Sequence, residues 1–178
     1  MSAKNRSKVI IIDATAFYAG VPYNSLDTYY TTEPVVEEIA HIKTKSGSLE
    51  NLIEIGRVRV YRPSEQYLEK VRSEAVSSGD STHLSTADIS IIALGLELKS
   101  DGFDVTLVSD DFSVGNLSYL LGLKVSTVMT LGIKKVVQWV VYCYGCGKTF
   151  KDSKLKVCDA CGSPLKRKFK KTSNLNRT

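Results

Sequence analysis

Histidine is scarce in this chain. Of 178 residues only His41 and His83 are imidazoles, neither fits a metal-ligand pattern, and both read as structural or surface residues. Long apolar runs are missing as well. None reaches the roughly 20 residues that a membrane-spanning helix needs, so no membrane partner is expected. A secretory leader is also not legible. Met1 to Lys8 is short and basic, and the apolar run Val9–Ile12 is closed at once by Asp13. The expected compartment is therefore the cytoplasm, where disulfides are rare. Cysteine is absent from every part of the chain except residues 143–161.

Those four cysteines carry the most specific signal. They read Cys143-x-x-Cys146, eleven residues, then Cys158-x-x-Cys161. A tight turn between paired cysteines lets two thiolates converge on one ion, and two such turns complete a tetrahedral shell. Gly147 and Gly162 follow the pairs and permit the positive φ that such a knuckle needs. The expectation is one structural zinc ion in a small ribbon, with a closed shell that does no catalysis.

Charge is divided along the chain. Residues 148–178 hold ten Lys/Arg against two Asp, a balance of +8, whereas residues 1–147 hold fourteen Lys/Arg against seventeen Asp/Glu, a balance of −3. A basic module on an acidic body favours a polyanionic partner, because binding phosphates releases counterions. A merely solvated tail is the plainer reading for Lys166 to Arg177.

Apolar patterning gives an α/β body. Val9–Ile12 and Val105–Val108 read as buried parallel strands, Lys124–Val128 as a third, and Arg57–Tyr61 as an alternating one. Helices are expected over 14–19, from Thr32-Glu33-Pro34 onward through Val35, Ile39 and Ile42, and over 48–55, 64–77 and 112–121. Another runs from Leu84 to Gly102, apolar nearly all round and so central. Trp139 is expected either to pack on the body or to stack on RNA. Everything after Lys168 reads as disordered.

Two of the clearest strands end in acids, Asp13 and Asp110-Asp111. In open parallel sheets the ligand crevice lies at the carboxyl ends of the strands. Glu37 and Glu38 open the helix after Thr32, and Asp88 lies in the first turn of the central helix. Singly, each has a plainer role: Asp88 pairs with Ser85 as a capping acid, and Asp110 or Asp111 caps the next helix. Jointly, carboxylates gathered in one cleft repel unless a cation is shared, and oxygen ligands favour a hard ion such as Mg²⁺ or Mn²⁺. That pattern defines metal-assisted phosphodiester hydrolysis.

The segments Ile12–Phe17 (IDATAF), Val35–Ile39 (VVEEI), Leu84–Ile89 (LSTADI) and Ser109–Asn116 (SDDFSVGN) resemble, in order, the motifs of PIN-domain ribonucleases. With the four-cysteine ribbon, the chain resembles the Nin-one-binding endonuclease family in its compact archaeal form. The resemblance implies a PIN-like three-layer α/β/α sandwich with a parallel sheet, plus the zinc ribbon. It divides the chain into a PIN domain over 1–130, a linker over 131–135, a ribbon over 136–168 and a basic disordered tail over 169–178. It implies catalytic Mg²⁺ or Mn²⁺ held by Asp13, Glu38, Asp88 and Asp111, with Asp110 as an unsettled neighbour. Thr15 would support a ligand and Asn116 would orient the acids. Gly115 stands where the family often has Gln. Lys166, Arg167 and Lys168 would contact phosphates, and Tyr144 or Phe150 would stack on a base. The implied activity is trimming of the 3′ end of precursor small-subunit rRNA, with the pre-small ribosomal subunit and its assembly factors as partners. Two other readings stay open. One is a toxin-type PIN nuclease acting on tRNA or mRNA, which the ribbon argues against. The other is a non-catalytic RNA-binding assembly factor, which the retained acids argue against.

Overall fold

A computed structural model of the chain describes residues 6–40, 46–130, 132, 135–150 and 155–174. His41, Ile42 and most of the expected linker lie outside the described residues. The β-branched run of β1 (Lys8–Ile12) forms the middle of a five-stranded parallel sheet. Around it stand β2 (Tyr29–Thr32), β3 (Val58–Tyr61), β4 (Asp104–Val108) and β5 (Lys124–Ser126), in the order β3-β2-β1-β4-β5. Helices α1 (Ala14–Tyr18), α2 (Glu33–Ala40), α3 (Ser46–Glu54), α4 (Glu65–Ser78), α5 (Thr86–Ser100) and α6 (Phe112–Leu120) connect the strands. As its all-round apolar pattern requires, α5 is central: Ser90 to Leu96 are all buried, and the helix packs on β1, β2, β4 and α2.

One strand was not legible in advance. Tyr29–Thr32 is half polar, yet Thr31 and Thr32 are wholly buried. The Thr31 hydroxyl donates to the Ile12 carbonyl at 2.9 Å, and Thr32 and Ser90 share a 2.6 Å hydroxyl contact. Internal partners replace the missing apolar signal. β5 is shorter than expected and stops at Ser126. The next backbone N–H groups, of Val128, Met129 and Thr130, turn away to the Asp110 carboxylate and cannot continue a ladder.

A second sheet, antiparallel, is built from β6 (Lys135–Cys143), β7 (Thr149–Phe150) and β8 (Leu165–Asn174), in the order β7-β6-β8. The expectation of disorder after Lys168 is corrected here. The run is polar, but its backbone pairs with β6 as far as Lys135↔Asn174. Backbone pairing gives residues 169–174 a strand conformation, and residues 175–178 lie outside the described residues.

The ribbon is docked on the body. Val136, Val137 and Val141 of β6 are buried. At the left-handed Gly79 that ends α4, an added Cβ would lie 2.8 Å from the Trp139 Cβ, so the close approach of strand to helix end requires glycine. Trp139 thus packs on the body, stacking on Phe169 with ring centroids 4.5 Å apart.

Candidate active site

Neighbouring strands β1 and β4 pair Ile12 with Val108, and the chain leaves them toward opposite sides of the sheet. A crevice at their carboxyl ends follows from that reversal. Asp13 leaves β1 there, and Ser109, Asp110 and Asp111 leave β4. Glu38 reaches the same place from α2, and Asp88 from α5. Asp13, Glu38, Asp88 and Asp111, with Thr15, Val35 and Ser85 among their neighbours, line one cleft of about 320 Å³. Among the described residues, no lysine or arginine lines it.

Local helix chemistry fixes three of the acids. Asp13 is the N-cap of α1; its Oδ1 accepts from the Ala16 N–H at 3.0 Å and from the Thr15 hydroxyl at 2.7 Å. Asp88 completes a capping box with Ser85: Oδ2 accepts from the Ser85 N–H at 2.7 Å and from its hydroxyl at 2.8 Å. Asp111 is the N-cap of α6, with Oδ1 accepting from the N–H groups of Ser113 and Val114. Three helix N-termini therefore present anions to one cleft, where the helix dipoles favour negative charge. The capping roles read from the sequence are real, and they hold these carboxylates in place at the cleft. The bonds to Asp88 and to Asp111 each fall on a single oxygen. Thr15 supports Asp13, as the resemblance implied, and also accepts from the Asp110 N–H at 3.2 Å.

Asp110 is placed differently. It accepts from the N–H groups of Val128, Met129 and Thr130 and from the Thr130 hydroxyl at 2.9 Å. Slight desolvation is outweighed by these bonds, and its carboxyl lies below the usual range. It straps a loop, whereas Asp111 faces the cleft.

The electrostatics record crowding. Burial raises the Asp13 carboxyl despite hydrogen bonds from Ser109 and Thr15. Burial also raises Glu38, with further repulsion from Asp88 and Asp13. Asp88 is raised by burial and repelled by Asp111, against its bonds from Ser85. Each acid is felt by another, which is the condition a shared cation relieves. Among the described residues only the four cysteines bring three or more ligand atoms within 4.8 Å of one another. The acids are more widely set. Carboxylates spaced this widely around a cleft would suit a hard ion that keeps several of its waters.

The four-cysteine site, by contrast, is closed. Cys143 lies at the end of β6, and all four sulfurs lie within 4.8 Å of each other. Cys143 and Cys161 sulfurs are 3.3 Å apart, and those of Cys146 and Cys158 3.6 Å. Zinc–sulfur bonds of about 2.3 Å in a tetrahedron set sulfurs about 3.8 Å apart, so the donor set fits zinc. These are separations of free thiols, not of disulfides. Each knuckle closes alike: Gly147 donates to the Cys143 carbonyl and Gly162 to that of Cys158, both glycines at positive φ as expected. Hydrogen bonds from Ser163 draw the Cys161 thiol down to about 6, whereas Cys146, despite a backbone bond at Lys148, is crowded by the other three sulfurs and pushed up to about 12, so the four thiols cannot all ionise without a cation among them.

Strand alternation separates the three basic residues grouped by the sequence. Lys166 and Lys168 are exposed, their ammonium groups 4.6 and 4.7 Å over the rings of Tyr144 and Tyr142. Arg167 pairs with buried Val141, and its guanidinium lies 4.6 Å over Trp139 and 3.8 Å from the Asp80 carboxylate. Asp80 is almost wholly buried and accepts from Ser78 and from the Asn116 amide. Nothing in the Ser/Gly/Asp-rich stretch 77–82 signals that burial. Asn116 does not reach the acid cluster: its amide serves Asp80 and the backbone of Val137 instead.

Comparison with known proteins agrees with both halves. The family description "PIN domain of ribonuclease" matches residues 10–98, and "Nin one binding (NOB1) Zn-ribbon like" matches residues 133–176. Endoribonuclease Nob1 of Pyrococcus abyssi is 38% identical over 158 residues, covering 88% of this chain and 91% of the relative. Its namesake in Methanocaldococcus jannaschii is 32% identical, covering 93% of this chain and 80% of the relative. Ribonuclease VapC1 of Thermoplasma acidophilum is 34% identical over 135 residues, covering 75% and 66%. A PIN domain, a four-cysteine ribbon and near full-length similarity together place the chain in the Nob1 endoribonuclease family.

Proposed function

We propose that this endoribonuclease depends on a divalent metal and cuts precursor small-subunit rRNA at its 3′ end during ribosome maturation. The observation that carries the reading is the cleft itself: four acids from four separate segments, mutually repelling, at the switch point of the sheet. Asp13, Glu38, Asp88 and Asp111 would hold Mg²⁺ or Mn²⁺. The bound ion supplies charge that acidifies an attacking water and steadies the leaving oxygen. The chain's own part is positional. Thr15 and Ala16 fix Asp13, Ser85 fixes Asp88, and the first turn of α6 fixes Asp111. Exposed Lys166 and Lys168 would contact backbone phosphates, and the exposed Tyr144 ring under the Lys166 ammonium would stack on an unpaired base once that lysine turns to a phosphate. The pre-small ribosomal subunit is the partner this implies.

The test is cleavage mapping on RNA spanning the mature 3′ end of small-subunit rRNA, with and without Mg²⁺ or Mn²⁺. Cutting near that end is expected only with the ion, and Asp13→Asn should abolish it while leaving RNA binding nearly intact. Full activity of Asp13→Asn overturns the assignment. The likeness to VapC1 supports a second reading, a toxin-type nuclease of tRNA or mRNA. Growth arrest on expression, with tRNA or mRNA cut in preference to the rRNA fragment, would favour it.

A further inference from the structure

Phe112 follows Asp111 directly as the first residue of α6, and it is 48% exposed. The buried stretch of that helix starts only at Val114. On the same edge of the sheet, β5 ends beside β4 and the chain runs into Thr127–Thr130. There Val128 and Met129 are 40% and 70% exposed. Three large apolar side chains therefore stand in water on the two segments that leave neighbouring strands. One of them is covalently next to a cleft acid. Isolated exposed apolar residues need no explanation, but a fixed group of them beside a site does.

The group is fixed. Asp110 accepts from the N–H groups of Val128, Met129 and Thr130 and from the Thr130 hydroxyl, and so ties the loop to the segment carrying Asp111 and Phe112. Within the loop, the Thr127 hydroxyl donates to the Thr130 carbonyl at 2.8 Å. The position of Val128 and Met129 relative to Phe112 is thereby set before any ligand arrives.

Charge decides the occupant. Among the described residues the cleft is lined by four acids and by no lysine or arginine. Apart from the ion the acids would hold, phosphates flanking the cut would find no ion-pair partner among those lining residues. A strand entering there needs a hold that does not depend on charge, and stacking of a base on an aromatic or apolar surface is one. We propose that Phe112, Val128 and Met129 form a base-stacking shelf beside the acid cleft, which receives one unpaired nucleobase next to the scissile phosphate. The inference rests on the nuclease reading and adds to it a preference for single strands, because a base engaged in a duplex cannot reach the shelf.

The test uses the full-length, zinc-loaded protein and a short single-stranded RNA with one abasic site moved along it. Both cleavage with Mn²⁺ and equilibrium binding without it are measured. For the native protein, one abasic position beside the cut should weaken binding about tenfold, the scale of one lost base–aromatic stack. Phe112→Ala should lose about as much with intact RNA and then be indifferent to that abasic position. Should Phe112→Ala fail to fold, Met129→Ala carries the same comparison, since its side chain is largely exposed. A native protein indifferent to every abasic position overturns the shelf, as does a folded variant that responds to them as the native protein does. Absence of cutting with either ion would instead sink the nuclease reading, and the binding measurements would still decide the shelf.

Discussion

The side-chain amide of Asn116 forms two hydrogen bonds with the backbone of Val137, donating to its carbonyl at 2.8 Å and accepting from its N–H at 2.7 Å. Asn116 lies on α6 in the body, and Val137 in the first strand of the ribbon. The amide thus substitutes for a neighbouring strand along β6. It also donates to Asp80 at 2.8 Å, which faces Arg167 of β8. Body and ribbon are joined by a buried polar network rather than by the linker alone.

Asn116→Ala should therefore be costly. It leaves a buried N–H and a buried C=O of Val137 without partners and removes a donor from Asp80. A loss of about 3 kcal/mol is expected in urea denaturation. A change below about 1 kcal/mol would show that β6 is held elsewhere.

Much of this architecture could be read in the residues. Val9–Ile12 closed by Asp13 could only be a buried strand ending at a charged edge, and α5 declared its central place by lacking a polar face. The cysteine spacing gave the ribbon. What stayed hidden depended on partners distant in sequence. Thr31 and Thr32 look like loop residues until their hydroxyls find Ile12 and Ser90. Asp110 and Asp111 are indistinguishable as letters. Only the return of residues 128–130 claims the first and leaves the second to the cleft. Asp80 gave no signal, because its burial is created by a strand 60 residues later in number order, roughly the separation from Asp80 to Trp139.

Removing zinc should unfold one part and spare the other. Cys158→Ser breaks a closed four-sulfur shell, and small metal modules lose their fold with the ion. The parallel sheet has its own core around Ile11, Ile91, Ile92 and Leu107. Zinc content should fall, RNA affinity should weaken, and helical circular dichroism should persist. Collapse of the whole spectrum would show that the body needs the ribbon.

Lys166, Lys168 and Arg167 should separate in a salt titration of single-stranded RNA binding. Each lysine that neutralises a phosphate contributes about 0.7 to the slope of log affinity against log salt. Lys166→Ala and Lys168→Ala should each reduce the slope by about that amount. Arg167→Gln should leave the slope alone and lower stability by about 1–2 kcal/mol, because Asp80 loses a partially screened cation. Equal slope changes for all three would place Arg167 on the RNA.

The acid cleft makes a pH prediction whose sign is fixed. The ordinary carboxyl values are 3.8 for Asp13 and Asp88 and 4.5 for Glu38, and folding raises all three, chiefly by burial, with repulsion from neighbouring acids adding to it at Glu38 and Asp88. A group raised on folding favours the native state below its unfolded value, and that contribution is lost as pH rises through the folded value. The ion-free protein is thus strained at neutral pH, where the acids are ionised together. A divalent ion binds the ionised acids and restores what was lost. In the zinc-loaded protein, Mn²⁺ should raise the melting temperature more at about pH 7 than at about pH 4, where protons compete with the ion for the raised acids. In Asp13→Asn the rise at neutral pH should shrink, while the melting temperature without Mn²⁺ goes up, since a buried charge has been removed. A Mn²⁺ effect equal at both pH values, or one unchanged by Asp13→Asn, would mean that the ion binds somewhere other than this cleft.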